Sequence, residues 1–447
     1  MIISLNIENF LSFGEKVNFS MAAGKVQQHK ELHTLQVNKK KNFSLLKIAA
    51  VYGANASGKS NLIKAIDVLK RFVIKGTQPE EVIPLVPFKL NTKYKNKPSK
   101  LEIEFLKNNK IYSFGFVADS EMIYEEWLYD ITTDKQKPIY ERTIDEFKKY
   151  SFNFFNSTKI TAKDRNFVKF LAEGTRKNQL FLTECFLHKT DNNFKNYKGI
   201  IDSLDWINKD LLILFPNSKY QPLLINLDNS KDFFNKFETL ISTPGTGIDG
   251  IELREVKFEN LIDIPELIKN DIKNMLKPQK SAFINANMGN DLILVTKKDN
   301  NEIIAKKLYA KHNRINEKGC EYFELNMESD GTRRLFDIIP LLIEEDDREL
   351  VVFIDELNRS LHPLLTKWFI DVFINQSFNK KVQLIFTTHE EYLLDFDLLR
   401  KDEIWFTEKN ENQETNIYSL AEYKDIRFDK RIVNDYLLGR FGAIPKI

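Results

Sequence analysis

The sequence predicts an α/β fold with an inserted, mainly helical subdomain, and three features of the chain indicate it. A continuous apolar run at 46–52 (LKIAAVY) passes through a glycine-bracketed turn into residues at helical spacing. Strand and helix patterns alternate again from 330 to 407, whereas aromatic, Asn- and Lys-rich helical patterns fill the stretch from about 140 to 320. The predicted organisation is a first lobe with a mixed sheet at 1–135, an inserted subdomain at 136–320 and a second lobe at 321–447.

Length and composition describe a folded protein without a strong electrostatic bias. The chain has 447 residues, 42% of them hydrophobic, which is enough for two or three domains with large cores. Its 66 basic and 64 acidic residues leave a formal charge of +2, so a polyanionic partner would need a local basic patch. Cys185 and Cys320 lack CxxC spacing, and no apolar run reaches the roughly 20 residues of a membrane span. We therefore expect a cytoplasmic protein without a cysteine-based metal site or a membrane contact.

The first lobe begins with strand patterns. Ile3, Leu5 and Ile7 alternate with polar residues, and the alternation resumes at 17–19. Further alternating segments between 101 and 131 predict an antiparallel extension of this sheet.

The remaining elements follow from the same periodicities. After the glycine turn, apolar residues recur at helical spacing at Leu62, Ile63, Ile66, Leu69 and Val73. In the inserted subdomain we expect helices over 195–215 and 233–241. In the second lobe the expected order is helix 330–343, strand 349–355, helix 364–373, strand 382–387 and strand 403–407.

The glycine-bracketed turn matches the phosphate-binding pattern G-x-x-x-x-G-K-S/T. It consists of Gly53, Ala54, Asn55, Ala56, Ser57, Gly58, Lys59 and Ser60. In such a turn successive backbone N–H groups surround a β-phosphate, the lysine reaches the β- and γ-phosphates, and the hydroxyl ligates Mg²⁺. Glycines let the backbone approach the anion in conformations that a Cβ would obstruct. Because a buried strand precedes the turn and a helix follows it, the sequence predicts a nucleotide site in which Lys59 contacts phosphate and Ser60 contacts metal.

A second strand supplies the acidic side chains that this chemistry needs. The segment 350–356 (LVVFIDE) is hydrophobic and ends in Asp355 and Glu356. We expect Asp355 to hold the Mg²⁺ shell and Glu356 to polarise the attacking water as a general base. The alternative is a strand that merely ends in a solvated acidic pair, and the phosphate-binding turn argues against it.

Several motifs in order resemble those of ABC-type ATPase heads of the SMC and RecF kind, which implies a P-loop NTPase fold. The motifs are IENFLSFGEKVNFSM at 7–21, the phosphate loop followed by Asn61, ESDGTRRLFDIIPLL at 328–342, FIDELNRSLHPLLT at 353–366, TTHEEYLLD at 387–395, LLRKDEIWFTEKN at 398–410 and YLLGRFGAIP at 436–445. In particular, the chain resembles the AAA-family ATPases of bacterial abortive-infection and anti-phage operons. These include the ATPase subunits that accompany RloB-type partners and the AriA subunit of the PARIS system.

The resemblance implies a homodimer that encloses ATP and Mg²⁺ between two heads. Ser329 and Gly331 stand in the signature positions, which in such heads reach the γ-phosphate bound by the other subunit. His389 stands where the switch histidine contacts the γ-phosphate and the attacking water, and Asn61 extends the nucleotide-binding loop. The stretch 358–362 resembles the D-loop, which runs along the dimer seam and couples the two sites.

The same resemblance implies that any effector is a separate protein, with a nuclease as one option. Relatives with a Toprim nuclease carry a further fold of about 100 residues after the ATPase. In this 447-residue chain the ATPase core uses most of the length after Glu356. Asp395 and Asp397 form a D-x-D pair, which we interpret as helix capping and not as part of a nuclease site.

A lysine-rich segment at 89–100 (KLNTKYKNKPSK) is a candidate contact to DNA. It contains five lysines, one tyrosine and no acid, so it could follow a phosphodiester backbone while Tyr94 stacks on a base. The alternatives are that the lysines are simply solvated and that the inserted subdomain contacts a partner protein.

These motifs predict an ATP-hydrolysing switch, and the resemblance implies that it serves anti-phage defence. Two alternatives remain open. One is a RecF- or SMC-like DNA repair or maintenance ATPase, for which we expect ATP-dependent DNA binding that weakens steeply with salt. The other is a non-hydrolysing scaffold that uses ATP as a structural element and would not need Glu356.

Overall fold

The computed structural model describes most of the chain. The described residues are 1–38, 42–147, 149–154, 161–189, 197–261, 264–277, 280–286, 291–300, 302–315, 317–343, 349–424, 426 and 432–445. No helix in these stretches combines the length and the apolar character that crossing a membrane requires.

The chain forms two compact units. Unit 1 comprises Met1–Pro216, Asp346–Leu357 and Ile374–Ile447, and unit 2 comprises Asn217–Glu345 and Asn358–Phe373. The boundaries of these units differ from the predicted boundaries at 135 and 320. The division into three lobes remains a prediction.

A six-stranded sheet lies at the centre of unit 1. Its strand order is β11 (Leu211–Leu214), β17 (Leu350–Ile354), β18 (Val382–Thr387), β5 (Ile48–Gly53), β19 (Ile404–Lys409) and β20 (Thr415–Ser419). The first five strands are parallel, and β20 pairs antiparallel with β19. Every residue of β5, β17 and β18 is buried, as their continuous apolar runs predict for strands covered on both faces. The carboxyl ends of these three strands therefore meet at one edge of the sheet.

Unit 1 also contains a seven-stranded antiparallel sheet. Its order is β10 (Tyr150–Phe154), β9 (Lys137–Ile144), β8 (Ile123–Asp130), β7 (Lys110–Ala118), β6 (Ser99–Lys107), β1 (Ile2–Glu8) and β2 (Val17–Ser20). The residues Ile3, Leu5 and Ile7 are all buried, because both faces of β1 are largely covered. A separate hairpin pairs β3 (Thr34–Asn38) with β4 (Phe43–Leu46). The antiparallel extension predicted between 101 and 131 is present as β6 to β8.

Seven helices of unit 1 lie in the described part of the chain. They are α1 (Lys30–His33), α2 (Lys59–Lys75), α3 (Thr92–Lys95), α4 (Ala162–Gly174), α5 (Phe181–Leu187), α6 (Lys198–Asp205) and α12 (Ile432–Leu437). Helix α2 follows the glycine turn directly, and it buries its predicted apolar stripe at Leu62, Ile63, Ile66, Leu69 and Val73. That stripe packs into the large apolar core of unit 1.

Unit 2 combines an antiparallel sheet with helices. The sheet order is β12 (Gly250–Lys257), β15 (Ile303–Asn313), β14 (Asp291–Lys297) and β13 (Ser281–Ala286), and β16 (Cys320–Glu324) also pairs with β15. The helices are α7 (Leu223–Asn229), α8 (Lys231–Ser242), α9 (Glu266–Met275), α10 (Asp330–Ile338) and α11 (Pro363–Gln376), of which α11 ends in unit 1. Phe258, Leu261 and Ile293 belong to a small apolar core of this unit.

The predicted α/β fold class is confirmed, but the helical character of 136–320 needs correction. Besides helices, this region contains strands β9 to β15, and β15 alone spans eleven residues. Lysines interrupt the apolar alternation of β15, so its strand pattern is weak in the sequence. The described part of the predicted helix 195–215 also ends as a strand, because α6 passes through a π-helical turn into β11. Pairing with β17 decides the state of this short apolar run, which periodicity alone leaves ambiguous.

The elements predicted between 349 and 407 match the structure more closely. Helix α11 and strands β17, β18 and β19 lie where the periodicity placed them. The helix predicted over 330–343 ends as an α-helix at Ile338 and continues as a 3₁₀ turn. Pro340 accounts for the change, since it has no N–H for the α-helical hydrogen bond.

Candidate nucleotide site

The predicted phosphate loop connects β5 to α2 at the carboxyl edge of the central sheet. Gly58 has a φ of 114°, in the left-handed region that favours glycine, and it directly precedes the first residue of α2. A Cβ on Gly53 would lie 2.5 Å from the Thr407 carbonyl oxygen. Both glycines are therefore required by close packing of the loop against β19 and β20. Helix α2 begins at this edge, and the N-terminus of a helix is a general anion-binding arrangement.

The Lys59 ammonium lies across the loop that precedes it. Its Nζ donates to the Gly53 carbonyl at 2.7 Å and to the Ala54 carbonyl at 2.9 Å. Burial lowers the pKa of Lys59 from 10.5 to about 8, although the Asp355 and Glu356 charges act in the opposite direction. A buried ammonium with only carbonyl partners is poorly compensated, so a phosphate at this place would stabilise it.

Ser60 and Asp355 form the donor set predicted for Mg²⁺. The Ser60 hydroxyl donates to Asp355 Oδ1 at 3.0 Å, and the Thr387 hydroxyl donates to the same oxygen at 2.7 Å. Asp355 is buried at the end of β17, whereas Ser60 is half-buried. One hydroxyl and one carboxylate, completed by phosphate oxygens and waters, are the ligands that Mg²⁺ takes in nucleotide sites. The residues present therefore fit this ion.

Glu356 is held in an unusual backbone conformation beside this pair. Its φ is 52°, which is rare for a residue with a Cβ and typical of functional sites. The Glu356 N–H donates to the Thr387 hydroxyl at 2.8 Å, and the Leu357 N–H donates to the Thr387 carbonyl at 3.0 Å. The turn after β17 is thus tied to the end of β18, and Glu356 is directed away from the path of the strand.

His389 shares the electrostatic environment of these groups. Partial desolvation and the nearby Lys59 charge lower its pKa below the usual 6.5, while the Glu356 and Asp355 charges oppose this. The preceding residue anchors the turn, because the Thr388 N–H donates to the Val51 carbonyl of β5 at 3.1 Å. His389 therefore lies within electrostatic reach of Lys59, Asp355 and Glu356, and its role as the switch histidine remains a prediction.

The remaining loop residues differ in their exposure to solvent. Asn55 and Ala56 are exposed and Ala54 is half-buried, so the crest of the loop is accessible. Ser57 is buried and its hydroxyl bonds Thr407 Oγ1 at 2.7 Å, while Asn61 Nδ2 donates to Ser12 Oγ at 2.8 Å. The side chains of Ser57 and Asn61 therefore brace the loop. Any contribution of these two residues to phosphate binding remains a prediction.

Thr415 supports the loop together with Ser12, but Thr415 has no recognisable signal of its own in the sequence. The Thr415 hydroxyl on β20 lies 2.7 Å from the Ser57 carbonyl and 2.8 Å from Ser12 Oγ. The Thr415 N–H donates to the Ser12 carbonyl at 2.8 Å. Ser12 lies within the N-terminal family motif, but Thr415 follows a polar turn that resembles any surface hairpin.

The signature residues lie in unit 2, at the start of α10. Ser329 is the N-cap of this helix, and its Oγ accepts a hydrogen bond from the Thr332 N–H at 3.1 Å. A Cβ on Gly331 would lie 2.5 Å from the Ser360 carbonyl oxygen, so a glycine permits the close approach of 358–362 to α10. His362 caps the next helix, because its Nδ1 accepts from the Leu364 N–H at 3.2 Å. The roles of Ser329 and Gly331 toward a nucleotide remain predictions.

Two further predictions about side chains are corrected. Tyr94 is only 4% exposed and packs edge-on against Phe88, with ring centroids 5.7 Å apart, so it is not available to stack on a base. The Asp395 carboxylate accepts from the Asp397 N–H at 2.9 Å within a turn, and no helix follows that it could cap. Short polar side chains such as aspartate stabilise turns and helix starts by the same hydrogen bond, which the sequence does not distinguish.

The chain matches a known family over most of its length. The family is described as "AAA domain, putative AbiEii toxin, Type IV TA system", and the match covers residues 48–395, which include the phosphate loop, Ser329, Asp355, Glu356 and His389. No curated protein matches the chain.

Several solved structures are similar in outline. The SMC head domain from Thermotoga maritima is 12% identical with a TM-score of 0.37, over 94% of this chain and 98% of that one. An SmcHead bound to the C-winged helix domain of ScpA is 13% identical with a TM-score of 0.42, over 94% and 97%. A Pyrococcus furiosus Smc head domain bound to the C-terminal domain of ScpA is 13% identical with a TM-score of 0.36, over 94% and 96%.

A parallel sheet, a glycine loop at the carboxyl end of its central strand and a lysine at the start of the following helix make up a P-loop NTPase fold. The predicted kinship with abortive-infection ATPases is confirmed by the family match across 48–395. The chain belongs to the AAA-domain family of the putative AbiEii type.

Proposed function

We propose that the protein is an ATP-binding and ATP-hydrolysing switch that closes as a dimer around Mg²⁺-ATP. The observation that carries the proposal is the convergence of Lys59, Ser60, Asp355, Glu356 and His389 at one edge of the central sheet. Hydrogen bonds tie the start of α2 to the end of β17, and the end of β17 to β18, so rigid elements position these groups. P-loop ATPases of this kind use ATP and, as a rule, Mg²⁺.

Each residue has a defined task in this proposal. The Lys59 ammonium would exchange its two carbonyl partners for phosphate oxygens. Ser60 and Asp355 would hold Mg²⁺, which neutralises phosphate charge when it is bound. Glu356 would accept a proton from the attacking water, and neutral His389 would orient that water. Ser329 and Gly331 of a second copy would complete the site, with the N-terminus of α10 directed at the γ-phosphate.

Substitution of the general base tests the proposal most directly. Glu356→Gln should lower ATP turnover by roughly 10²- to 10³-fold while retaining ATP binding, because only proton transfer is lost. Dimers should then persist in ATP, as measured by light scattering after size exclusion. Glu391→Gln, which changes an acid in the turn after β18, is the matched control and should turn over at the wild-type rate.

Two outcomes would separate the alternatives. If Glu356→Gln hydrolyses ATP at the wild-type rate, the assignment of the base is wrong. If the wild-type protein binds ATP but does not hydrolyse it, the non-hydrolysing scaffold is the better description. ATP-dependent DNA binding whose affinity falls steeply between about 50 and 200 mM salt would favour a DNA maintenance ATPase.

The role in anti-phage defence rests on the family. A neighbouring gene for a Toprim or RloB-like protein would support a separate effector, with a nuclease as the first candidate. A gene position among replication functions would support DNA maintenance instead. We expect ATP-dependent closing and reopening of the dimer to hold and release that effector.

A further inference from the structure

The lysine segment at 89–100 and the residues just before it form a surface that the nucleotide site does not use. Val82 is 65% exposed, Val86 is 37% exposed and Leu90 is 71% exposed. The residues between them alternate, with Pro84 exposed and Ile83 and Leu85 buried. We call the exposed residues Val82, Pro84, Val86 and Leu90 the outer ridge.

The outer ridge is fixed in place by hydrogen bonds. The Ile83 N–H donates to the Ser120 carbonyl at 2.8 Å, and the Leu11 N–H donates to the Val86 carbonyl at 2.7 Å. Asn9, which is buried, accepts from the Phe88 N–H through Oδ1 at 3.0 Å. A surface that is already ordered loses little conformational entropy when a partner binds.

The lysine segment is held by the same asparagine. Asn9 Nδ2 donates to the Tyr94 carbonyl at 2.9 Å and to the Lys97 carbonyl at 2.7 Å. Burial and a hydrogen bond with Glu414 raise the pKa of Tyr94 to about 12. The segment is therefore a built surface with an aromatic anchor, and its lysines at 89, 93, 95 and 97 are exposed beside Leu90.

The chemistry of this surface favours a protein over a nucleic acid. Tyr94 is buried, so the base-stacking contact of single-strand binders is missing here. Val82, Val86 and Leu90 offer aliphatic area that a phosphodiester backbone cannot use. Exposed lysines follow the aliphatic ridge, and the complement of that arrangement is a segment with aliphatic side chains followed by acidic ones.

We propose that the outer ridge and the lysine segment together dock an acidic, aliphatic segment of a partner protein. This inference deepens the proposed function, because it rests on the existence of a separate effector. It does not depend on ATP turnover.

The docking surface is connected to the phosphate loop through a short polar path. Asn9 and Leu11, which hold the surface, flank the loop in which Ser12 lies. Ser12 Oγ accepts from Asn61 in the first turn of α2 and bonds Thr415, whose hydroxyl also reaches the Ser57 carbonyl. A shift of the phosphate loop on nucleotide binding would therefore move the anchor of the docking surface, which gives the partner a route to sense the nucleotide.

Selection from a random peptide library identifies the class of peptide that the surface accepts. Random 12-residue peptides displayed on phage are selected on the full-length wild-type protein and counter-selected on Val82→Ser/Val86→Ser/Leu90→Ser. We expect enriched peptides that combine Asp or Glu with Leu, Ile or Phe. By fluorescence anisotropy, one such synthetic peptide should bind about tenfold more weakly to the ridge variant and to Lys89→Glu/Lys93→Glu/Lys95→Glu.

Matched controls come from helix α4, which is exposed elsewhere in unit 1. Phe170→Ser removes an apolar side chain that is 72% exposed, and Lys163→Glu/Lys169→Glu reverses two exposed lysines. Both controls should bind the peptide like the wild type. Unchanged melting temperatures of all variants would show that the fold is intact.

Three results would overturn the inference. The first is a selection that yields no peptide dependent on the ridge. The second is binding of a 20-nucleotide oligothymidylate that is lost in the lysine variant and kept in the ridge variant, which would make this a nucleic-acid site. The third is a change in oligomeric state of the ridge variant without peptide, which would make a second copy the occupant. An ATPase-dead Glu356→Gln protein should still bind the peptide, so failure of the switch and failure of the docking site are distinguishable.

Discussion

The phosphate loop in unit 1 and the signature helix start in unit 2 are built in different ways. Around the loop, side chains of α2, β18 and β20 bond the loop backbone or the Asp355 carboxylate that follows β17, and Lys59 and Asp355 are buried. At the start of α10, the Ser329 hydroxyl bonds only groups of its own helix among the contacts described, namely the Thr332 N–H and hydroxyl. From this contrast we expect one chain to bind phosphate with its own loop, and the Ser329 hydroxyl to contact a nucleotide only in the predicted dimer.

Among the changes that test this comparison, removal of the Lys59 ammonium should have the largest effect on ATP binding. Lys59→Ala should weaken ATP affinity by roughly 100-fold or more, because two charge-assisted hydrogen bonds to phosphate are lost. Isothermal titration calorimetry with Mg²⁺-ATP measures this affinity. An affinity within twofold of the wild type would contradict the phosphate-loop assignment.

A change at the signature serine should separate turnover from binding. Ser329→Ala and Ser329→Asn should each lower ATP turnover about tenfold, because a hydroxyl directed at the γ-phosphate is lost. ATP affinity at protein concentrations below dimerisation should stay unchanged. Asparagine keeps the helix N-cap, so its variant should also keep the melting temperature, whereas alanine should lower it. Equal losses of affinity and turnover would place Ser329 in the same half-site as Lys59.

The low pKa of Lys59 predicts a pH dependence of nucleotide binding. Because its pKa is about 8 in the protein without nucleotide, the ammonium loses its proton above that pH. ATP affinity should therefore fall about tenfold between pH 7 and pH 9, and Lys59→Arg should remove most of this dependence. A flat affinity profile of the wild type would contradict the burial argument.

The same pKa shift has a definite sign for stability. The folded state binds this proton more weakly than the unfolded state, whose lysine titrates near 10.5. The free energy of unfolding should therefore gain a contribution that rises with pH from about 8 to 10.5, and Lys59→Met should lack it. Urea titrations of both proteins across this window measure the difference.

Support from β20 is expected to give the smallest effect. Thr415→Val removes the hydroxyl that contacts the Ser57 carbonyl and Ser12, so ATP affinity should fall a few-fold and stability should fall by about 1 kcal/mol. Thr415→Ser keeps the hydroxyl and should restore the affinity. Equal affinities of the valine and serine variants would show that the packing of Thr415, and not its hydroxyl, supports the loop.

The position of the candidate nucleotide site in the fold could be predicted from sequence because its parts are local. The glycine loop and the acidic pair are short motifs next to continuous apolar strands, and each has a chemical reason for its residue types. Thr387 and Thr415 were not predicted as supports, because their roles depend on which strands become neighbours. The strand at 211–214 was not predicted for the same reason, because its partner β17 is distant in sequence.

The orientation of individual side chains was harder to predict than the position of helices and strands. Tyr94 belongs to a lysine-rich stretch that looks solvated throughout, yet it is buried against Phe88. Asn9 provides the cause, because it binds the backbone on both sides of Tyr94 and draws the segment onto the sheet. A single asparagine 85 residues away carries no signal in a local pattern.

The hydroxyl of Thr387 connects the two acidic residues that follow β17. It donates to the Asp355 carboxylate and accepts from the Glu356 N–H, so the two adjacent acidic residues share one anchor on β18. A shift of β18 along the sheet would therefore disturb the Asp355 carboxylate and the Glu356 backbone together. If the two acids have the roles proposed for them, a small displacement of this strand would change metal affinity and proton abstraction together.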